Sequence, residues 1–289
     1  MKKSKHEWKS NGLPALVTVG PVAVILVFLV VLPLMYVAVM SFCSIDSYYN
    51  VVYKFTLRNY AQLADPDYIH IYLQSILIAL LTTVICVLVA YPFAYLIART
   101  KSRNKNLLYM LVIIPFWTNS LIRIYGWRTF LGTNGWLNNA LIKLHMISEP
   151  LDMLFNRGTT VLGMVYCLIP FMVLPLYSSF EKLDVNLLEA SADLGATKLK
   201  TLKEIIIPLT ADGIFSGCIM IFIPCLGYFF VSDILGGNAD VIGNLIERQF
   251  QSGNNWPLGS ALSIILIIIT LLLVKAYQKI GGSMESLAL

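Results

Sequence analysis

The segment from Leu188 to Pro208 is the part of this chain whose residue types most clearly indicate a chemical task. Its first half reads Leu-Glu-Ala-Ser-Ala-Asp-Leu-Gly and closes at Gly195, and its second half ends in Ile-Ile-Ile-Pro. The segment is polar and lies between two hydrophobic runs of membrane-crossing length. Such a segment is suited to binding a soluble partner protein at the membrane surface. An amphipathic helix lying on the membrane is the alternative.

The local pattern predicts how this segment folds. Asn186 can cap the first helical turn, and Glu189, three positions later, can return a hydrogen bond to the cap backbone. Gly195 removes a side chain where another group is expected to approach closely, and Pro208 marks the end of the helix. Apolar side chains recur at helical spacing, namely Leu188, Ala192, Leu199, Leu202 and Ile206.

The composition excludes a water-soluble globule. Of the 289 residues, 57% are hydrophobic and 13% are charged, whereas soluble domains carry about 25% charged residues. The apolar residues form six blocks near the length of a membrane-crossing helix, without the alternating polarity of a transmembrane barrel. The blocks are Ala15–Met40, Leu73–Ala98, Leu107–Ile122, Gly158–Phe180, Gly213–Ser232 and Asn254–Val274. The sequence therefore predicts an all-α polytopic membrane protein with six transmembrane helices.

The basic residues are sorted between alternate loops. The two tails and the loops after the second and fourth blocks hold 14 of the 21 lysines and arginines, and the other segments hold 7. The positive-inside rule then places both termini in the cytoplasm. We expect a tail at 1–14, a transmembrane domain at 15–280 with a cytoplasmic loop at 181–212, and a tail at 281–289. The first apolar run is too long for a cleaved signal peptide.

The chain lacks the short motifs of nucleotide binding and catalysis. It has no phosphate-binding Gly-x4-Gly-Lys-[Ser/Thr] loop, no nucleophile elbow and no His-Glu-x-x-His, and its five cysteines include no Cys-x-x-Cys pair. We expect no enzyme activity, no metal site and no cofactor in this chain. The net charge of +5 is interpreted as an orientation signal and lipid contact, not as nucleic-acid binding.

The segment at Leu188–Pro208 resembles the EAA loop of ATP-binding-cassette importer permeases. That family pattern is Glu-Ala-Ala, three residues, Gly, nine residues, then Ile-x-Leu-Pro. Ser191 replaces the third Ala and Ile207 replaces the Leu, whereas the family spacing is met by Glu189, Ala190, Gly195, Ile205 and Pro208. The resemblance implies the type I importer permease fold. It also implies that these residues, Ser191 included, couple the chain to an ATPase subunit, which binds the ATP.

Three further stretches, 115–126, 176–184 and 231–237, are similar to the spermidine/putrescine permeases of this family. The similarity extends from about Tyr53 onward. It implies that the chain forms a path for polyamines across the cell membrane. The implied partners are a second related permease, two ATPase subunits and an extracytoplasmic polyamine-binding protein.

A polyamine path requires carboxylates, aromatic faces and polar acceptors. The candidates at the ends of the third and fifth blocks are Trp117, Asn119, Tyr125, Tyr228 and Asp233. The outer loop after the fifth block adds Asp240 and Glu247. The alternatives are an interfacial anchor for Trp117 and a solvated helix end for Asp233. Arg123 would repel a polycation, so we expect it to extend outward or to pair with a carboxylate of the partner permease.

Other functions remain open on the sequence alone. A stand-alone secondary transporter or channel usually carries intramembrane carboxylates or paired broken helices. The interiors of the six blocks hold no charged residue, which argues against proton coupling. An intramembrane enzyme would need a catalytic cluster within a block. An importer for another solute would share the same loop.

Overall fold

The computed structural model describes residues 20–100, 102–237 and 241–279, so both predicted tails lie outside the described residues. Two strands pair antiparallel, β1 Ser44–Ile45 and β2 Val51–Val52. The helices are α1 Gly20–Met40, α2 Arg58–Gln62, α3 Pro66–Arg99, α4 Ser102–Ile113, α5 Ser120–Leu131, α6 Trp136–Lys143, α7 Arg157–Glu181, α8 Val185–Asp193, α9 Lys198–Leu209, α10 Ala211–Gly227, α11 Phe229–Val231, α12 Ile242–Gln251 and α13 Trp256–Lys279.

The chain divides into two compact units, Met1–Ala64 with Arg248–Ile267, and Asp65–Glu247 with Ile268–Leu289. In the first unit, α1 is a membrane-length apolar helix whose side chains from Val22 onward are largely exposed. Its end is tied to α2, because the buried Asn59 amide donates to the carbonyls of Ser41 and Cys43 at 2.9 and 2.8 Å.

The second unit is built on α3, α7 and α10, which pack against one another. Small residues allow this close approach. A Cβ added at Gly217 of α10 would lie 2.4 Å from the sulfur of Met172 in α7, and Ala90 and Ala94 of α3 are fully buried. Small residues at helix contacts are typical of membrane proteins, where van der Waals packing drives helix association.

Four helical segments among the described residues are long and apolar enough to cross a membrane: Gly20–Met40, Pro66–Arg99, Arg157–Glu181 and Trp256–Ala276. Two bent pairs supply the remaining spans if each pair counts as one. These are Leu107–Trp117 with Ser120–Lys143, bent by 89°, and Lys198–Leu209 with Ala211–Gly227, bent by 66°. The chain is therefore an all-α polytopic membrane protein, and the six predicted spans correspond to these six segments.

The prediction of a continuous third helix over Leu107–Ile122 is wrong. The chain forms a 3₁₀ turn at Ile114–Trp117, becomes extended at Thr118, and starts α5 at Ser120. Asn119 causes the restart, because its side chain accepts a hydrogen bond from the backbone N–H of Leu121 at 2.8 Å. A side chain that caps a new helix in this way directs the backbone away from the old axis.

The fifth block is also interrupted. Helix α10 ends at Gly227, Tyr228 leaves the helical conformation, and a π turn at Ser232–Gly236 follows α11. The second block is longer than predicted, because Asp65 caps α3 and Pro66 starts it. Residues 66–72, which precede the second block in the sequence, are therefore helical.

Candidate functional site

The coupling segment, residues 181–212, forms two helices joined by a turn. Asp184, not Asn186, caps α8, because its carboxylate accepts from the backbone N–H of Asn186 at 2.9 Å. The predicted Asn186 cap is therefore wrong, and Glu189 is left exposed on the surface of α8. Asp184 precedes the helix in extended conformation, which is the geometry a capping side chain requires.

Gly195 closes α8 with a left-handed turn. Its φ is +76°, its N–H donates to the carbonyl of Ala192 at 2.9 Å, and the N–H of Ala196 donates to that of Ser191 at 3.0 Å. This pair of bonds is the Schellman pattern, which favours glycine because it has no Cβ. A Cβ built at Gly195 meets no atom within 4 Å. Within the described chain, backbone conformation therefore explains this glycine, and the close approach of a partner group at Gly195 stays a prediction.

The two helices of the coupling segment are joined by a hydroxyl pair. The hydroxyl of Ser191, which is buried, lies 2.5 Å from that of Thr201 in α9. Ile205 is half-buried on α9, whereas Ala190 and Pro208 are exposed. Pro208 was predicted to end the helix, which continues one residue further to Leu209.

A cavity of about 560 Å³ lies between α3 and the coupling segment. Its lining includes four of the five residues predicted to share one helical face, namely Leu188, Ala192, Leu202 and Ile206. The fifth, Leu199, is 75% exposed, so its predicted place on that face is wrong. Leu194 is 88% exposed. The polar segment therefore exposes two leucine side chains, Leu194 and Leu199.

An ion pair joins α4 to the start of the coupling segment. The Lys105 ammonium pairs with the Glu181 carboxylate and lies 5.5 Å from the ring centre of Tyr177. The hydrogen bond to Glu181 raises the pKa of Lys105. The sequence counted Lys105 only among the orienting basic residues and did not predict its pairing with Glu181, because that pairing depends on how α4 folds back on α7.

The break in the third span presents three predicted pathway residues. Trp117 ends the 3₁₀ turn and is 83% exposed, and Tyr125 on α5 is 52% exposed. Asn119 uses its side-chain oxygen to cap α5, so it has a structural role besides any contact with cargo.

Arg123 neither extends into solvent nor pairs with a described carboxylate. Its guanidinium carbon lies 5.7 Å from the ring centre of Phe116 and 5.6 Å from that of Tyr166. Arg123 Nε is buried and makes no hydrogen bond within the described chain. Neither aromatic contact was predicted from the sequence. Tyr166 is remote from Arg123 along the chain, so its contact depends on tertiary packing.

The break in the fifth span holds the other two candidates. Tyr228 is half-buried at the interruption, and Asp233 is exposed on the π turn. The buried side chain of Asn244 donates to Asp233 Oδ1 at 2.5 Å and to the carbonyl of Phe229 at 3.0 Å. Asn244 thereby fixes the carboxylate, and no local pattern distinguishes this asparagine in the sequence. Asp240 lies outside the described residues.

The two breaks are neighbours in the second unit. Helix α11 and the π turn contact both α5 and α7. The contact is close, because a Cβ at Gly163 of α7 would lie 2.7 Å from Leu235 and 2.8 Å from Val231. The stretch that carries Tyr228 and Asp233 therefore packs against the helix that carries Tyr125.

Comparison with known proteins identifies the family of this chain. Residues 90–280 match the family described as binding-protein-dependent transport system inner membrane component. The chain belongs to this family and is a multi-pass inner-membrane permease. Membership sets aside the stand-alone secondary transporter.

Curated relatives cover most of the chain. It is 47% identical over 255 residues to the spermidine/putrescine transport system permease protein PotB of Escherichia coli K12, covering 88% of this chain and 93% of that protein. The corresponding protein of Haemophilus influenzae is 41% identical over 264 residues, covering 91% and 92%. A bacterial alginate ABC transporter, solved with a pentasaccharide-bound periplasmic protein, aligns with a TM-score of 0.73 at 17% identity, covering 96% and 99%, which supports the fold.

Proposed function

We propose that this chain is the permease subunit of an ATP-driven importer whose cargo is a polyamine of the spermidine/putrescine class. The observation that carries the cargo is the 47% identity to a spermidine/putrescine permease over 88% of the chain. An alignment of that length spans both breaks and the coupling segment. The cargo is delivered by an external polyamine-binding protein.

The partners we propose are a second related permease and two ATPase subunits, which bind the ATP. The exposed leucines Leu194 and Leu199, together with exposed Glu189, are the surface we assign to the ATPase. Apolar side chains surrounded by polar ones are typical of a docking site for a soluble protein. The coupling segment and both termini are then cytoplasmic.

The path for the cargo is assigned to the two neighbouring breaks. Asp233 supplies a negative charge held in one orientation by Asn244, and Trp117 and Tyr125 supply exposed aromatic faces. The attraction between a cation and a partly hydrated carboxylate or aromatic face contributes about 1 kcal/mol to the binding free energy. Weak binding suits a transporter, which must release its cargo.

The test is uptake by the reconstituted complex. Proteoliposomes containing both permeases and the ATPases, with the binding protein outside and ATP inside, are given labelled spermidine or putrescine. We expect accumulation that requires both ATP and the binding protein. Controls omit each in turn and replace ATP by a non-hydrolysable analogue. Accumulation of a different solute without either polyamine would overturn the cargo and retain the importer.

A further inference from the structure

Arg123 is a cation held within the candidate path of a polycation. It lies on α5 just after the break in the third span, and it is partly buried. Among the described residues it makes no ion pair, and its Nε has no hydrogen-bond partner. What holds the guanidinium is the pair of aromatic faces of Phe116 and Tyr166, at 5.7 and 5.6 Å.

The two faces come from different sides of the bend. Phe116 lies in the 3₁₀ turn before the break, Arg123 lies after it, and Tyr166 belongs to α7. Each face is fixed by a second ring. Phe171 meets Phe116 edge-on at 5.1 Å, and Trp127 meets Tyr166 edge-on at 5.6 Å. These ring contacts help to hold the two aromatic faces in place beside the guanidinium.

Two cavities adjoin Arg123. One cavity of about 230 Å³ and another of about 400 Å³ are each lined by Arg123 and Tyr166. The second is bordered by the rings of Trp127 and Phe130 and by Gly126, where an added Cβ would meet nothing within 4 Å. A flexible, positively charged chain could therefore reach the guanidinium and the Tyr166 ring that it covers.

We propose that Arg123 is a surrogate cation that covers the aromatic faces of Phe116 and Tyr166 until an ammonium group of the cargo displaces it. This inference rests on the proposed polyamine cargo. The competition is chemically selective, because aromatic faces attract ammonium and guanidinium groups and offer nothing comparable to a neutral solute or an anion. Only a cation can displace the arginine from the rings. The competition also keeps the intrinsic affinity of the path for its cargo low.

The proposal is tested by binding of labelled spermidine to the complex of both permeases and the ATPases in nanodiscs, without the binding protein. Arg123→Gln removes the competing cation, and we expect the affinity for spermidine to rise about tenfold, which corresponds to about 1.4 kcal/mol. The gain should persist in Arg123→Gln/Tyr166→Phe, which keeps the face, and be lost in Arg123→Gln/Tyr166→Leu. Arg123→Met, which retains an apolar stem, replaces Arg123→Gln if that variant does not assemble.

Two results would overturn the surrogate role. Unchanged or weaker spermidine binding in Arg123→Gln would exclude competition. A gain that survives Tyr166→Leu would mean that removing charge repulsion alone explains it. Uptake by the wild-type complex in proteoliposomes with the binding protein and ATP separates these failures from failure of the proposed cargo, since the cargo fails only if wild-type uptake of polyamine is absent.

Discussion

The hydroxyl of Tyr91 lies 3.1 Å from the hydroxyl of Thr210, which joins α3 to the bend between α9 and α10. Thr210 is fully buried and donates its own proton to the carbonyl of Ile206 at 2.7 Å, so Tyr91 is the donor of the pair. The ring of Tyr91 also meets Phe180 of α7 edge-on at 5.0 Å. Tyr91 of α3 therefore contacts both the coupling segment and α7 through one side chain.

We expect Tyr91→Phe to lower ATP-driven uptake severalfold while the complex assembles normally. The substitution removes the hydrogen bond and keeps the ring contact with Phe180, so it tests the bond alone. A net hydrogen bond contributes about 1 kcal/mol. Polyamine uptake and ATP hydrolysis are measured together in proteoliposomes. The amount of polyamine taken up per ATP hydrolysed should fall. Thr210→Val should reproduce the effect, and the double variant should be less than additive. An unchanged ratio in Tyr91→Phe would exclude the pair from coupling.

The effect of a substitution at Gly195 on uptake should depend on whether the new residue tolerates a positive φ. Asn tolerates the left-handed region, so Gly195→Asn is expected to keep most uptake. Gly195→Val forces a β-branched residue to positive φ, which costs on the order of 2 kcal/mol, and should abolish most uptake without removing the protein from the membrane. The matched control is Gly20→Ala, at a helical glycine whose surroundings are also open. Equal uptake in Gly195→Asn and Gly195→Val would contradict the interpretation that the left-handed turn requires glycine.

The coupling segment illustrates what the sequence could and could not predict. Its place in the chain follows from polarity and spacing, but the turn at Gly195 and the outward position of Leu199 do not. Helical periodicity describes one continuous axis, and a short left-handed turn changes that axis while leaving the spacing intact.

The breaks show the same limit for the membrane spans. Hydropathy measures how apolar a segment is and carries no direction, so the third and fifth blocks were found but their bends were missed. The Asn119 cap was a readable signal for the first bend. The contacts of Asp233 with Asn244 and of Arg123 with Tyr166 could not be predicted from the sequence, because both arise only from tertiary packing.

The hydroxyl pair of Ser191 and Thr201 should stabilise the turn between α8 and α9. We expect Ser191→Ala to speed amide hydrogen exchange in the coupling segment several-fold, because it leaves the Thr201 hydroxyl without this partner. The double variant Ser191→Ala/Thr201→Val replaces both hydroxyls and should return towards the wild-type rate. Exchange measured by mass spectrometry is the readout. Identical rates in wild type and Ser191→Ala would show that the pair adds no local stability.

Topology is tested by labelling single cysteines with a membrane-impermeant maleimide, in a background where the five native cysteines are replaced. Thr197→Cys in the coupling segment should react in inside-out vesicles and not in intact cells. Thr133→Cys, exposed between α5 and α6, is the matched control and should show the opposite pattern. The expectation follows from the 14 and 7 basic residues on the two sides. Labelling of Thr197→Cys in intact cells would reverse the orientation.

Asp233 should assist entry of a cationic cargo. Asp233→Asn keeps the size of the side chain and removes its charge, so loss of an attraction of about 1 kcal/mol should lower polyamine uptake about fivefold. Trp117→Ala, which removes an exposed aromatic face, should lower it to a similar extent. Initial rates of spermidine and putrescine uptake are the measurement, with ATPase assembly verified in each variant. Asp152→Asn, an exposed carboxylate in the loop before α7, is the charge-matched control and should transport normally. Wild-type rates in both Asp233→Asn and Trp117→Ala would exclude the two breaks as the cargo path.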